Sequence, residues 1–261
     1  MAGGLGATGS EIEREGNAPP LAGVEQGVTS QGNAAAEALS PEIFGATLGF
    51  AVRDLGLVSY EDAQIIQSAM ATEVMAGERP DTLLLVEHPP VLTLGAGFHE
   101  ENLLFPPETY RARGIEIVPT DRGGDVTYHG PGQLVMYPIF DVSHRGKDLH
   151  RWLRDLEGVV IDVLSGLGIE AGRLAVNSGV WIGEDKVCAI GIKLRRWVST
   201  HGMALNLDID LAPFATIVPC GIRGGYGVTS VSRTLEREVT VEDAKPLVIA
   251  AFARRFGPVL S

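Results

Sequence analysis

Cysteine is scarce in this 261-residue chain, which holds two, Cys188 and Cys220. That excludes a disulfide framework, and a reducing compartment would keep both as thiols. Zinc-type spacing is missing as well: among six histidines only His144 and His150 stand near one another, six positions apart, so no metal is expected. Basic charge is short, with 21 Lys and Arg against 33 Asp and Glu, a net charge of -12 and a pI near 4.9. An extended nucleic-acid surface needs clustered Lys and Arg, so no DNA or RNA partner is expected. No apolar run approaches the roughly 20 residues of a membrane span. The start, Met1-Ala2-Gly3-Gly4-Leu5, lacks the basic and apolar regions of a signal peptide. These absences lead to the expectation of a cytoplasmic protein with no membrane partner. Aromatic residues are absent before Phe44, and residues 1–40 are rich in Gly, Ala, Glu, Ser and Gln. Such a segment buries too little surface to offset chain entropy, so it reads as a disordered N-terminal extension.

What is present points to a folded remainder. Hydrophobic residues make up 45% of the chain, enough for a substantial core. With neither a second linker nor an internal repeat, residues 41–261 read as a single domain. Ser59 followed by acidic Glu61 and Asp62 predicts a helix start, and Ile66, Met70 and Val74 repeat at helical spacing until Gly77. Thr82 to Val86 and Val91 to Leu94 read as buried strands, separated by His88-Pro89-Pro90. Asp148 caps a helix whose apolar stripe includes Trp152, Leu156, Val160 and Val163 and stops at Gly168. Val176 to Ile182 and Val187 to Leu194 form a hairpin about Gly183-Glu184-Asp185, and His201 to Leu207 extends the same sheet. A last helix starts at Thr240, with Asp243 at its third position and Pro246 as a candidate kink. Strands and helices mix without strict alternation, which favours an α+β fold over a doubly wound one.

The chemistry gathers around few residues. Cys220 follows Pro219 and precedes Gly221, a setting that exposes a side chain at a turn, although a buried structural cysteine is the commoner case. Cys188 lies inside an apolar strand and reads as core. Lys186, just past the hairpin turn, is by position an ordinary exposed lysine. Beside a thiol it would gain a chemical role, because an ammonium stabilises the thiolate, and a two-unit shift, about 2.7 kcal/mol, makes the anion dominant at neutral pH. The segment Arg122-Gly123-Gly124-Asp125-Val126-Thr127-Tyr128-His129 is glycine-spaced and polar and leads, through Gly132, into the apolar run Leu134 to Phe140. It is no phosphate loop; it is either a ligand-facing loop or a tight strand connection. Ala189-Ile190-Gly191 and Gly202-Met203-Ala204 place small residues where a backbone passes close to a ligand or to another strand. Arg195, Arg196 and Trp197, close to Lys193, make a local basic patch that is by default a solvated loop and otherwise a docking place for an acidic partner.

Several of these segments together resemble one family. Arg122-Gly123-Gly124-x-x-Thr127-Tyr128-His129-x-x-Gly132-Gln133-x-Val135-x-Tyr137 is similar to the signature of the lipoyl(octanoyl) transferases. Val86-Glu87-His88-Pro89-Pro90-Val91-x-Thr93-Leu94-Gly95, Lys186-x-x-Ala189-Ile190-Gly191, His201-Gly202-x-Ala204-Leu205-Asn206 and Pro219-Cys220-Gly221-Ile222 follow in the family's order. The resemblance spans roughly Phe44 to Gly257. It implies a biotin/lipoate-protein ligase-like mixed sheet with flanking helices and a ping-pong acyl transfer without cofactor. By the same resemblance, Cys220 takes an octanoyl or lipoyl group from acyl carrier protein as a thioester, and Lys186 lowers the thiol pKa and acts as base. Arg122 to His129, Ala189 to Gly191 and Gly202 to Ala204 would bind the acyl substrate. Acceptors would be a lysine of the lipoyl domains of 2-oxoacid dehydrogenase E2 subunits or the glycine-cleavage H protein, and the enzyme would act as a monomer. The alternatives on this fold are an ATP-dependent lipoate or biotin ligase, disfavoured by Cys220, and a non-catalytic acyl-binding protein.

Overall fold

The computed structural model describes residues 49–218 and 225–260; the expected extension of residues 1–40, and Cys220, lie outside the described residues. The chain runs through β1 (Ala51–Leu57), α1 (Tyr60–Ala76), β2 (Thr82–Glu87), β3 (Val91–Leu94), α2 (Pro107–Ala112), β4 (Glu116–Pro119), β5 (Val126–His129) and β6 (Gln133–Ile139). It continues through α3 (Leu149–Gly166), β7 (Gly172–Leu174), β8 (Asn177–Ile182), β9 (Asp185–Arg195), β10 (Val198–Asn206), β11 (Gly227–Val228), α4 (Val231–Leu235) and α5 (Val241–Phe256).

Local chemistry sets the helix ends where the sequence places them. Ser59 accepts the Asp62 amide at the start of α1, and Gly77, at φ 73°, closes it in the left-handed conformation that glycine adopts without a Cβ clash. Asp148 accepts the His150 and Arg151 amides at the start of α3. At the start of α5, Thr240 and Asp243 exchange side-chain-to-backbone hydrogen bonds, a capping box, and the helix continues through Pro246. Thr240→Ala removes one half of that exchange and is expected to cost about 1 kcal/mol. In a thermal melt this is a midpoint lower by about 2–4 °C; an unchanged midpoint would show that the cap contributes nothing.

Eight strands form one mixed sheet, in the order β1-β2-β6-β10-β9-β8-β7 with β11 beside β9. β1 runs parallel to β2, while β6, β10, β9 and β8 pair antiparallel in turn, so the fold is α+β as expected. Helices α3 and α5 cover one face and bury Trp152, Leu156, Phe252 and Phe256 against Met136, Cys188, Met203 and Leu205. Burial of each such large side chain contributes roughly 1.5–3 kcal/mol. Helix α1 covers the other face through Tyr60, Ala63, Met70 and Val74, packed with Val135, Tyr137 and Ala204. A second, three-stranded sheet, β4-β3-β5, stands apart with its own core of Leu92, Tyr110, Tyr128 and Phe214. The functional site lies where β5 of this small sheet meets α1 and the face of β6, β10 and β9. Among the described residues no helix is long and apolar enough to cross a membrane.

Candidate active site

The glycine-spaced segment is a clasp between the two sheets. Arg122, 6% exposed, donates from Nη2 to the Thr93 carbonyl (2.6 Å), to Thr93 Oγ1 (2.8 Å) and to the Asp125 carbonyl (2.7 Å). Gly123 N donates to the Ile192 carbonyl of β9 at 3.0 Å, and Gly97 N donates to the Gly124 carbonyl at 3.0 Å. Gly124 has φ 89°, a conformation L side chains rarely adopt. The charge of Arg122 therefore serves to tie the loop to β3 across the top of the slot.

Beneath the clasp is a narrow slot. It takes Arg122, Gly123, Gly124, Thr127, His129, Ala189, Ile190, Gly191, Gly202, Met203 and Ala204 from the segments singled out in the sequence. Asp125, Val126 and Tyr128 do not line it, and strand geometry gives the reason. Successive side chains of β5 alternate faces, so Thr127 and His129 meet the slot while Val126 and Tyr128 join Leu92 and Phe214 in the small-sheet core. Asp125 turns its carboxylate away, accepting from the amides of Val126 (2.7 Å) and His99 (3.3 Å) and from Asn102 Nδ2 (2.6 Å). Of the run from Arg122 to His129, the residues that line the slot are thus Arg122, Gly123, Gly124, Thr127 and His129.

Small residues have two uses here. A Cβ on Gly202 would overlap the Met136 carbonyl oxygen of β6, and one on Gly191 would sit 2.6 Å from the Gly123 carbonyl oxygen. Both glycines let backbones close on one another, and the absence of side chains also keeps the slot open.

Five further residues line the slot: Tyr60, Val135, Tyr137, Asn177 and His201. Alternation could have found Val135 and Tyr137, which share one face of β6; nothing local marks Tyr60 or Asn177. The imidazoles have definite tautomers. His88 Nδ1 donates to the Val58 carbonyl at 2.7 Å, so its Nε2 accepts from the Tyr137 hydroxyl at 2.8 Å. Burial pushes His88 down to about 4, and burial followed by the neighbouring His88 pushes His129 down to about 3, so both rings are neutral at pH 7. Neutral His129 accepts from Thr93 Oγ1 (3.3 Å) and donates to Gln133 Oε1 (2.7 Å). Gln133 Nε2 then donates to Asn206 Oδ1 (2.8 Å), and Asn206 Nδ2 to the Thr229 carbonyl (2.9 Å). From Arg122 to Thr229 these side chains bond in series, so this wall is held by a continuous polar network.

Lys186 is the clearest departure from its sequence position. It is 5% exposed rather than a solvated hairpin lysine, because β8 covers it. Its Nζ lies 4.8 Å from the Trp181 ring centroid and donates to Asn177 Oδ1 and the Ser178 carbonyl, each at 3.2 Å. Asn177 lines the slot, so Lys186 stands at one end of it. On its other side Lys186 opens to a separate cavity with Phe214, Ile217, Val218 and Tyr226. Cys188 is 0% exposed, and burial pushes its thiol up to about 12. The basic patch falls at the opposite end of β9: Lys193 pairs with Asp121, and Arg195 lines a groove beside α1. Seven residues of strand, about 23 Å, separate Lys193 from Lys186.

The mixed sheet with its flanking helices, which carries this slot and the buried lysine beside it, has the architecture of the lipoate-protein ligases. The bipartite lipoate protein ligase of Thermoplasma acidophilum matches with a TM-score of 0.66 at 16% identity, covering 82% of this chain and 86% of that one. The lipoyl protein ligase A/B catalytic domain matches residues 59–253, and the chain belongs to that family. Its sequence is 47% identical over 201 residues to the octanoyltransferase of Geobacter metallireducens, 77% of this chain and 91% of that protein. It is 49% identical over 203 residues to the octanoyltransferase of Gloeobacter violaceus, 77% of this chain and 88% of that protein.

Proposed function

We propose that this enzyme transfers an octanoyl group from acyl carrier protein, through a Cys220 thioester, to a specific lysine of a lipoyl domain. The observation that carries the reading is the buried Lys186, bonded to Asn177 at one end of a slot lined by the small residues Ala189, Gly191, Gly202 and Ala204. Val218, two positions before Cys220 in the chain, lines the same cavity as Lys186. In the first half-reaction the Cys220 thiolate, stabilised by the Lys186 ammonium, attacks the carrier thioester carbonyl, and the carrier leaves as its thiol with the proton that Lys186 gives up. In the second, the acceptor lysine attacks the acyl-enzyme, the now neutral Lys186 takes the proton of the incoming amine, an amide forms, and the Cys220 thiolate returns beside the Lys186 ammonium. Thioester to amide is downhill, so no nucleotide is needed. The related archaeal ligase is described with its E2 lipoyl domain, which supports E2 domains, and by the same lysine chemistry the glycine-cleavage H protein, as acceptors here. A reducing cytoplasm suits a reactive thiol, and residues 41–261 would work as one monomeric catalytic domain.

The test is intact mass after incubation with octanoyl carrier protein without ATP, before and after addition of a lipoyl domain. A hydroxylamine-labile octanoyl adduct that moves to the lipoyl domain is expected. Transfer of free octanoate only when ATP is present would make the protein a ligase, and no transfer under either condition a binding protein. Lys186→Ala should leave a folded protein whose Cys220 reacts with iodoacetamide about tenfold or more slowly at pH 7, with the alkylation profile moved to higher pH. An unchanged profile would separate Lys186 from the thiol.

A further inference from the structure

We propose that His201 is the end wall of the acyl slot and sets the length of chain the enzyme accepts. This rests on the octanoyl-transfer reading and adds to it a residue that determines specificity. His201 pairs with Ile192 across β10 and β9, six residues along β9 from Lys186, or about 20 Å of strand. It therefore stands at the far end of the slot from the reacting groups.

Behind it lies a second space. A groove of about 570 Å3 runs between α1 and the ends of β9 and β10, and His201 lines both this groove and the slot. The groove is part apolar, with Ala71, Met75 and Val198 among its lining residues, so it can take the tail of a hydrocarbon chain. His201 is what the two spaces share.

The ring is fixed from both sides. Its Nε2 donates to Asp121 Oδ1 on the groove side at 2.7 Å, and its Nδ1 accepts from the Tyr60 hydroxyl on the slot side at 3.4 Å. Its backbone N–H donates to Gln67 Oε1 at 2.7 Å. The ring reaches this position through an unusual backbone. His201 has φ 57°, and of the described non-glycine residues with positive φ it alone lies inside a strand. Regular alternation would put residue 201 on the face of Met203 and Leu205, which belong to the core beneath α3 and α5. The left-handed turn sends it instead to the Tyr60 face. Strain of this kind persists where surrounding contacts over-determine it, and here the result is a partition.

The test compares wild type, His201→Gly and Asp121→Ala in transfer from octanoyl, dodecanoyl and tetradecanoyl carrier protein, read as the ratio of long-chain to octanoyl rate. Glycine suits the local φ and removes the ring, so His201→Gly should raise the dodecanoyl ratio tenfold or more. Asp121 is exposed and outside the slot, and its removal only loosens the ring, so Asp121→Ala should raise the ratio a few-fold. If His201→Gly does not fold, Asp121→Ala decides alone. Ratios equal to wild type in the folded variants overturn the end wall while leaving the transferase intact. A wild type that transfers no octanoyl group overturns the functional reading, and the end wall with it.

Discussion

Replacing Cys220 by alanine is expected to abolish octanoyl transfer, by about 10^3-fold or more, and to remove the acyl adduct. Cys188→Ala should keep most of the activity. The environment of Cys188 rules it out as the nucleophile. Cys188 is enclosed between the strands and α3, its Sγ donates to the Ala189 carbonyl at 3.5 Å, and its thiol is pushed up to about 12. At pH 7 such a group is thiolate to only about one part in 10^5, too little to act as a nucleophile. Nor does it point to the slot: Ala189, its neighbour, lines that cavity, and Cys188 packs with Val180 and Leu205 on the opposite face. The loss expected on its replacement is of packing, about 1 kcal/mol for a small buried side chain. Transfer rates and intact mass of the two variants check the assignment. Equal loss in both would mean that the roles have been divided wrongly, and activity retained by Cys220→Ala would remove the thioester from the mechanism.

How far the sequence reaches depends on how local the cause is. Helices α1, α3 and α5 were legible at both ends because Ser59, Asp148 and Thr240 cap their own backbones and Gly77 closes its helix, all within a few residues. The β8–β9 hairpin and its extension by β10 were legible for the same reason, since the turn at Gly183 sets the pairing. What partner a strand takes is not local. Periodicity marks β2 and β3 alike as apolar strands, yet β2 joins the large sheet and β3 the small one. Nor did pattern disclose β1, whose central Arg53 and Asp54 are exposed. At the site, the short motifs brought most of the slot residues together. The separate sides of β5, the burial of Lys186 under Trp181 and the wall contributed by Tyr60 and His201 all depend on elements distant in sequence. Lys186 is the instructive case: its place beside a turn describes an exposed side chain, and only the strand laid over it makes it a buried cation.

Gly202→Ala should be the most damaging single methyl group in the site. A Cβ there would overlap the Met136 carbonyl oxygen and come within 2.8 Å of Pro138 Cδ. Neither atom can swing away as the end of a flexible side chain would, because Met136 pairs directly with Met203 in the β6–β10 ladder. Relief requires the two central strands to part, which weakens the hydrogen bonds that hold the floor of the slot. The expected cost is about 3 kcal/mol or more. For a protein of this size that lowers the thermal midpoint by about 6–12 °C. Gly166, at the end of α3, has nothing within 4 Å of a Cβ position, and Gly166→Ala should be neutral or stabilising by up to about 1 kcal/mol. Chemical or thermal unfolding of the pair distinguishes two uses for the small residue at 202. Opposite signs would show that glycine is needed for strand approach. A Gly202→Ala protein with wild-type stability and lost octanoyl transfer would show that it is needed by the ligand instead.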